Sequence, residues 1–490
     1  MFPFLPKTKR YKVTAERFLY RHFGKILFSV NFLLGLLLWY QGRRLGLFAP
    51  PQPGMDQHTI LEAALNIPRG LLPQPGKYLY SPSYTLFLGA LAAFCNGSLP
   101  WMRLLQMAIS SLIPWVIYRS AVYANFGRKA GALAGFFWLF CGSALLISLD
   151  FLRAAPLALC FIGFFYFLIR SFRRKNDIKY TVLAGIMAGL CMLGRENFIP
   201  VICLPILFWI LPDRIPARTG MAGTGQKAFA RPFRRIGIYL AAALLLMLPV
   251  LGYNFYHTSS FAILPGNGRN VFEFMQGKGT LSSPGQAFLL VVKKIPATTI
   301  QILTPFENTN SLSVYAHREA VGILKVLCIP VTLLFALTAV LLDRWKRNSC
   351  LLLMLISGYF ASLLFCEIYY RFRIPALPLL CLGAGAGIIQ LYNMFRKKEK
   401  KAWLYLLPVG AALYFSFAIV PERLLPRTER EATVRFFLDR KMYDRAGELL
   451  LKYRACGVPS PQGERFLLYL LVKDRRPQDA AWWLNRFQEQ

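Results

Sequence analysis

The first loop of the chain contains Pro53-Gly54-Met55-Asp56-Gln57-His58-Thr59-Ile60-Leu61-Glu62-Ala63-Ala64, and Asn66-Ile67-Pro68-Arg69-Gly70 follows soon after. The stretch comes just past the first strongly apolar run, and its pattern predicts a Pro- and Gly-rich loop that enters a short helix. It carries two acids, Asp56 and Glu62. A carboxylate near the point where an apolar helix meets water is costly unless it is paired or functional. Asp56 and Glu62 are therefore candidate functional residues.

The composition around this loop is that of a membrane protein. The chain has 490 residues, of which 56% are hydrophobic and 15% aromatic, and its mean hydropathy is +0.41. These values exclude an ordinary soluble globule. We therefore predict an all-α, polytopic membrane protein.

The formal net charge of +35 does not indicate nucleic-acid binding. The basic residues are dispersed in short clusters between apolar runs, whereas a nucleic-acid-binding protein gathers them on one domain. This dispersal is typical of cytoplasmic loops, which carry an excess of Lys and Arg. The basic N-terminus, 1–25, is predicted to be cytoplasmic and to precede an uncleaved first span.

A helix needs about 20 apolar residues to cross a bilayer, and this rule predicts eleven spans. With eleven spans, all basic clusters fall on one side, the cytoplasm, which places the C-terminus outside. The run 84–96 is too short to span. Counting it as a span would also put basic clusters on both sides of the membrane, so we predict an interfacial or re-entrant helix on the outer face. The predicted spans are 26–40, 103–124, 131–149, 152–170, 180–194, 197–211, 237–256, 321–342, 349–366, 374–395 and 402–420.

The outer face then receives the two long loops, 41–102 and 257–320, and the C-terminal segment 421–490. Within 257–320 we expect mainly a solvated loop, with a surface helix over 285–302. Segment 421–490 has helical periodicity and two matching stretches at an offset of 34 residues. This pattern resembles tetratricopeptide repeats, but an ordinary four-helix cap explains it almost as well. Either version predicts an outer-face helical domain that offers a surface for protein contact.

Several other charges are predicted to share the outer face with Asp56. Asp150 follows the third span, Arg195 lies at a helix end, and Arg371 and Arg373 lie beside Tyr370. Alone, Asp56 is as well explained by a helix cap as by catalysis. Arginines flanked by aromatics at a bilayer edge suit a lipid-borne phosphate, because guanidinium groups form paired hydrogen bonds with phosphate oxygens. The alternative for the arginines is a set of interface anchors.

The order of these features resembles the GT-C superfamily of integral-membrane glycosyltransferases over about residues 20–420. Within it, the chain particularly resembles the bacterial relatives of dolichyl-phosphate-mannose protein mannosyltransferases and of the lipid A aminoarabinose transferase. The stretches that carry the resemblance are Met55-Asp56-Gln57 through Asn66-Ile67-Pro68-Arg69-Gly70, Tyr78-Leu79-Tyr80-Ser81-Pro82-Ser83-Tyr84, Ala184-Gly185 through Leu193-Gly194-Arg195, and Tyr370-Arg371-Phe372-Arg373-Ile374-Pro375.

The resemblance implies roles for individual residues. In such enzymes an acid of the first outer loop serves the acceptor, and Asp56 matches that place, with Glu62 secondary. Asp150 matches the acid of the second outer loop only approximately, since no DxD pair is present, and we therefore predict no metal cofactor. The residues expected to bind the donor or its lipid phosphate are Arg371, Arg373, Tyr370, Arg195, Arg69 and Tyr80.

The expected activity is transfer of a sugar from a polyprenyl-phosphate-linked donor to a hydroxyl of a lipid, glycan or protein, with inversion. It would take place at the outer face of the inner membrane. A nucleotide-sugar donor is disfavoured because no Gly-rich phosphate loop is present. Two alternatives remain open: a transporter or flippase for a lipid-linked saccharide, and an O-antigen ligase or polymerase.

Overall fold

A computed structural model of the protein describes most of the chain. The described residues are 7–44, 48, 50–51, 56–72, 81–173, 178–210, 227–259, 292–293, 295–296, 298–299, 302–303, 329–343, 346–365, 370–418, 427–439 and 441–489. Most of the predicted loop 257–320 lies outside these residues. Its short described pieces between 292 and 303 are helical, within the range predicted for a surface helix.

Throughout the described part the regular elements are helices. Short 3₁₀ turns, among them Ile67–Arg69, Val340–Asp343, Leu363–Phe365 and Tyr370–Ala376, extend or connect them. The α-helices are α1 Lys7–Arg44, α2 Asp56–Asn66, α3 Pro82–Phe94, α4 Leu99–Ser110, α5 Ile113–Tyr123, α6 Arg128–Leu139, α7 Gly142–Ser148, α8 Ala154–Arg173, α9 Ile178–Gly194, α10 Phe198–Ile210, α11 Lys227–Thr258, α12 Val331–Ala339, α13 Arg347–Ser362, α14 Leu377–Arg396, α15 Lys401–Ala418, α16 Arg427–Asp439, α17 Tyr443–Ala455, α18 Pro461–Lys473 and α19 Pro477–Glu489.

The prediction of an all-α, polytopic membrane protein is confirmed. Within the described ranges, four helical segments are long and apolar enough to cross a bilayer: His22–Arg44, Ala154–Phe172, Phe233–His257 and Arg371–Arg396. Shorter apolar helices pack around them. Helices suit this setting because lipid offers no hydrogen bonds, so each backbone must satisfy its own polar groups.

Two of the predicted spans are broken in the structure. The span predicted over 103–124 consists of two helices, α4 and α5. Pro114 lies in the first turn of α5. Proline has no N–H and a fixed φ, so it is tolerated in the first turn of a helix but interrupts a helix that would run through it. The span predicted over 131–149 consists of α6 and α7. At that break the carbonyl of Phe140 accepts a hydrogen bond from the amide of Ile329 at 3.2 Å. A distant segment therefore satisfies a backbone group that the break leaves open.

The helix predicted over 84–96 is α3, and it has 13 residues. At 1.5 Å per residue it is about 20 Å long, too short to cross the hydrocarbon core. Ser81 caps it, since its hydroxyl accepts a hydrogen bond from the amide of Tyr84 at 3.3 Å. Helix α3 packs on α2, where its buried Leu88 and Leu91 join Ile60, Leu61 and Ala64 in one apolar cluster.

Small residues let α14 approach its neighbours closely. A Cβ atom on Gly385 would lie 2.5 Å from the carbonyl oxygen of Ala130 in α6, and one on Gly387 would overlap the carbonyl oxygen of Leu337 in α12. Close backbone contact through small residues is a common way for membrane helices to associate. It holds α14 in the centre of the bundle, so that the turn preceding it is also held in place.

The C-terminal segment consists of the four helices α16 to α19. The turns before α17 and before α19 each contain a residue in the left-handed region, Lys441 with φ 56° and Arg475 with φ 60°. The two lie 34 positions apart, at the offset of the sequence match, and Ala446 and Ala480 are both buried. The geometry is that of two successive helix pairs. A tetratricopeptide character, and the location of this segment outside the cytoplasm, stay predictions.

Candidate active site

Asp150 lies in the turn between α7 and α8 and is buried. One carboxylate oxygen, Oδ1, accepts a hydrogen bond from the amide of Phe151 at 2.9 Å. The other, Oδ2, accepts one from Nε2 of Gln57, also at 2.9 Å. Gln57 belongs to the first turn of α2 and directly follows Asp56. The structure therefore joins the first-loop stretch to the second predicted acid, across 93 residues of sequence.

The side chain of Gln106 in α4 forms hydrogen bonds with the same turn. Its Nε2 donates to the carbonyl oxygens of Ser148 at 2.9 Å and Asp150 at 2.6 Å. Its Oε1 accepts a hydrogen bond from the Tyr84 hydroxyl at 2.8 Å. Because Gln106 is fully buried, these bonds replace water for three groups at once. They hold the Asp150 turn in one conformation.

Arg103, one turn before Gln106, supplies a buried positive charge. Its guanidinium lies over the Phe151 ring, with Cζ 4.4 Å from the ring centroid. It interacts electrostatically with Asp150, so the carboxylate has a counter-ion as well as hydrogen-bond donors. Neither Arg103 nor Gln106 was among the predicted site residues. Two polar residues at the start of an apolar run are the sequence feature that points to them.

We expect Gln106→Leu to lower the thermal unfolding temperature of the purified protein. The substitution keeps the side-chain volume but leaves the two carbonyl groups and the Tyr84 hydroxyl without their partner, and each such loss costs about 1–3 kcal/mol. Tyr84→Phe is the matched control, because it removes a single hydrogen bond from the same network. A Gln106→Leu protein that unfolds at the wild-type temperature would show that the network does not stabilise the turn.

Beside this turn is a small pocket that is partly open to solvent. Three arginines line it, and they come from separate corners of the fold: Arg153 before α8, Arg195 after α9 and Arg371 before α14. Its apolar walls are Ile60, Leu152, Ala154 and Phe372. Ile60 lies one turn after Gln57 on α2, so the pocket adjoins the Asp150 network. An anion attached to an apolar chain suits such a lining.

The ring of Phe372 organises two of the three arginines. The Arg195 guanidinium lies over the ring with Cζ 3.4 Å from its centroid, and that of Arg371 lies 5.8 Å away. The backbone carbonyl of Phe372 accepts a hydrogen bond from the buried Tyr359 hydroxyl at 2.5 Å. Stacking restricts the planar guanidinium groups, so they lose less freedom when they bind a ligand.

The corner between α9 and α10 also holds an acid. Burial raises the pKa of Glu196, and the positive charges of Arg153 and Arg195 oppose that rise. Arg153 in turn donates from Nη1 to the carbonyl oxygen of Gly194 at 3.4 Å. The described residues that line the pocket itself include three arginines and no acid.

Arg373 does not line this pocket. Its side chain is only 1% exposed, and Nη1 donates to the carbonyl oxygen of Ile302 at 3.0 Å. Ile302 belongs to the helical pieces of the long segment before α12. The structure therefore places Arg371 and Arg373, two positions apart, in different surroundings.

Glu62 and Arg69 are not brought into the pocket. The Glu62 side chain is 60% exposed and its carboxylate lies 4.0 Å from His58 Nδ1, while Arg69 is exposed at the end of a 3₁₀ turn. The backbone of Asp56 begins α2, but its side chain and that of Tyr370 lie outside the described residues, as does the whole of Tyr80.

No cluster of three or more His, Cys, Asp or Glu in the described part of the chain is arranged to hold a metal ion. The side chain of Asp56 is not included in that statement. The expectation that the site works without a metal therefore stays a prediction.

Residues 81–253 match the family model described as dolichyl-phosphate-mannose-protein mannosyltransferase. The match confirms the resemblance to GT-C membrane glycosyltransferases over a range that contains Asp150 and Arg195. Asp56, Arg371 and Arg373 lie outside it. No curated protein matches the chain.

The solved structures that are similar over most of the chain include the following two. One is the oligosaccharyltransferase AglB from Archaeoglobus fulgidus, in complex with an inhibitory peptide and a dolichol-phosphate, with 13% identity, a TM-score of 0.45 and 92% of this chain covered. The other is ArnT from Cupriavidus metallidurans bound to undecaprenyl phosphate, with 14% identity, a TM-score of 0.45 and 92% covered. The matches span 60% of the AglB chain and 77% of the ArnT chain.

Proposed function

We propose that the protein transfers a sugar from a polyprenyl-phosphate-linked donor to an acceptor hydroxyl at the outer face of the inner membrane. The observation that carries the proposal is the pocket in which Arg153, Arg195 and Arg371 converge on apolar walls beside the Asp150 turn. The family match over residues 81–253 supports the same reaction class.

The arginines serve the donor in this proposal. Transfer breaks the bond between the anomeric carbon and the phosphate oxygen, and that oxygen leaves with the bonding electron pair as polyprenyl phosphate. Its negative charge grows as the bond breaks, and guanidinium groups already positioned beside it stabilise that charge. The apolar side chains of the pocket contact the first part of the prenyl chain.

The carboxylates serve the acceptor. Asp56 takes the proton of the acceptor hydroxyl as its oxygen bonds to the anomeric carbon. Asp150, held through Gln57 to the same helix, orients the first turn of α2 toward the pocket and acts as the second acid. A single displacement of this kind inverts the anomeric centre. Arg195, Tyr370 and Tyr80 are proposed donor contacts, and Glu62 and Arg69, both exposed, remain the weakest members of the set.

A transfer assay in detergent tests the proposal. The full-length purified protein is mixed with total lipid from a strain that lacks its gene, as donor, and with washed membranes of that strain, as acceptor. Mass spectrometry then follows lipid-linked sugar and polyprenyl phosphate. A transferase consumes the former and releases the latter. A transporter or flippase leaves the donor intact because detergent abolishes the two compartments between which it works, and that result would overturn the proposal.

A further inference from the structure

A cluster of tyrosines and arginines lies at the end of the helix bundle opposite the arginine pocket. Helix α8 begins at the pocket, where Ala154 is part of the lining, and Arg170 lies near its other end, about 24 Å away at 1.5 Å per residue. Helix α9 returns from Tyr180 to the pocket side, where it ends at Gly194. Because the segment Ala154–Phe172 is long enough to cross a bilayer, the cluster lies at the other edge of the membrane.

Two helices contribute the same pair of residue types to this cluster. In α5, Arg119 lies one turn before Tyr123, and its Nη2 donates to the Tyr123 hydroxyl at 3.5 Å. In α8, Arg170 lies one turn after Tyr166, and its Nη1 donates to the Tyr166 hydroxyl at 2.9 Å. Residues four apart lie on the same face of a helix. The two tyrosine rings meet edge to face, with centroids 5.6 Å apart, so the two arginine–tyrosine pairs form one group.

Aromatic rings hold both guanidinium groups in place. The Cζ atom of Arg170 lies 3.8 Å from the ring centroid of Tyr180 in α9 and 4.7 Å from that of Tyr123. The Cζ atom of Arg119 lies 5.4 Å from the Tyr123 centroid. Both arginines therefore contact the same ring, and two positive charges lie close together. Stacking restricts a planar guanidinium group, so it loses less freedom when it binds a ligand.

Most hydrogen-bond donors of these two arginines are unused. A guanidinium group has five N–H donors, and within the described residues Arg119 and Arg170 each donate one hydrogen bond, to a tyrosine hydroxyl. The Nε atom of Arg119 is buried and has no hydrogen-bond partner there. The ion pairs in the described part of the chain do not involve either arginine. Two neighbouring cations with unused donors and no counter-ion favour an anion that both can bind.

The surroundings favour an anion carried by a lipid. Both arginines and all three tyrosines of the cluster are partly exposed, so a headgroup can reach them. Phe167 is also partly exposed, and it stacks on Tyr180 with ring centroids 6.4 Å apart. It presents apolar surface beside the charges. Tyrosine is enriched where a membrane meets water, because its ring is apolar and its hydroxyl is polar. The phosphate of a phospholipid lies at the same depth.

We propose that Arg119 and Arg170 together bind one phosphate group, that of an anionic phospholipid, on the membrane face opposite the arginine pocket. N–H groups that the tyrosines leave unused donate to the phosphate oxygens, and the tyrosine rings fix the direction of both guanidinium groups. The inference does not depend on the transferase activity, because none of these residues belongs to the candidate active site.

The experiment measures binding to the full-length protein with two probes, because a free phosphate ion offers the same oxygens as a headgroup. In the lipid arm, the protein is placed in phosphatidylcholine nanodiscs with increasing phosphatidylglycerol, and native mass spectrometry counts the phosphatidylglycerol retained. In the soluble arm, inorganic phosphate is titrated onto the protein in uncharged detergent, and thermal unfolding is followed. Retention of phosphatidylglycerol without an effect of phosphate is the expected result. Stabilisation by phosphate without lipid retention would overturn the lipid assignment, and binding of neither probe would overturn the site.

Charge-conserving variants separate this site from a pair of interface anchors. An anchor needs only a positive charge at the headgroups, whereas paired hydrogen bonds to a phosphate need a guanidinium group. Arg119→Lys and Arg170→Lys should each weaken phosphatidylglycerol retention about tenfold, the change expected from one hydrogen bond to a charged group. Arg128→Lys is the matched control, because Arg128 is exposed and begins α6 at the same end of the bundle. It should change retention less than about twofold.

Unchanged retention in both Arg119→Lys and Arg170→Lys would show that the arginines are anchors and overturn the proposal. Equal weakening in all three variants would overturn it in favour of a diffuse basic surface. Each variant is compared with wild type by size-exclusion profile and transfer activity, neither of which should change. Arg170 contacts three rings and Arg119 contacts one, so Arg119→Lys keeps the test decisive even if Arg170→Lys fails to fold.

Discussion

An Asp56→Asn protein is expected to insert and fold normally and to transfer sugar about 10²- to 10⁴-fold more slowly than wild type, the usual loss when a general base is removed. Asp56 is the first residue of α2. The next residue, Gln57, binds Asp150, and Ile60, one turn further, lines the arginine pocket. The start of α2 therefore lies beside both parts of the site. The transfer assay in detergent measures the effect as an initial rate.

Asn is chosen because it separates catalysis from capping. Asn and Asp cap helices equally well, whereas Ala loses the cap at a cost of about 1 kcal/mol. Asp56→Ala should therefore lower both the unfolding temperature and the rate, and Asp56→Asn the rate alone. Retention of lipid-linked donor by Asp56→Asn would show that the pocket is intact. Near-normal transfer by this variant would remove Asp56 from the mechanism and leave Asp150 as the next candidate for the catalytic carboxylate.

Arg371→Lys should weaken the enzyme about 10- to 100-fold in kcat/KM for the lipid-linked donor, mainly through KM. Lysine keeps the charge but cannot form paired hydrogen bonds with a phosphate or stack flat on an aromatic ring. Losing one charge-assisted hydrogen bond, at about 1.5–3 kcal/mol, gives a change of this size. The measurement is the donor concentration dependence of the rate in detergent.

Arg373→Lys is the informative comparison, because the same substitution two positions away meets different surroundings. Arg373 is almost fully buried and binds the carbonyl of Ile302, so its replacement should lower the unfolding temperature and leave KM of the folded fraction nearly unchanged. If Arg373→Lys raises KM as much as Arg371→Lys, both arginines contact the donor. If neither changes KM, Arg371 does not contact the donor phosphate.

The membrane class and the places where charges interrupt the apolar runs were predictable from the sequence. Lipid cannot hydrogen-bond the backbone, so the length of an apolar run restricts its structure to a spanning or interfacial helix. This restriction identified α3 as a short helix and placed Asp150, Arg195 and Arg371 at helix ends. The helix breaks inside 103–124 and 131–149 could not be predicted from apolar run length, because hydropathy averages over a break of one or two residues.

The buried network around Asp150 was not predictable, because its partners are distant in sequence. Gln57 and Asp150 are 93 residues apart, and Gln106 and Asp150 are 44 apart. Arg103 and Gln106 lie in an apolar run. Hydropathy alone does not indicate whether a residue in such a run faces lipid or a buried carboxylate. Arg153 follows Asp150 by three residues, but the neighbouring sequence does not distinguish a pocket residue from an interface anchor.

The sequence by itself determined that the chain is a polytopic helical membrane protein with Asp150, Arg195 and Arg371 at helix ends, because the cost of burying charge in lipid acts on each run separately. Only the tertiary structure decided which of those charges meet. Arg371 and Arg373 flank the same residue, Phe372, in sequence, yet one faces the pocket with Arg195 and the other binds Ile302. That difference arises because packing of α8, α9 and α14 brings separate corners together, and side-chain direction on a tight turn depends on those contacts.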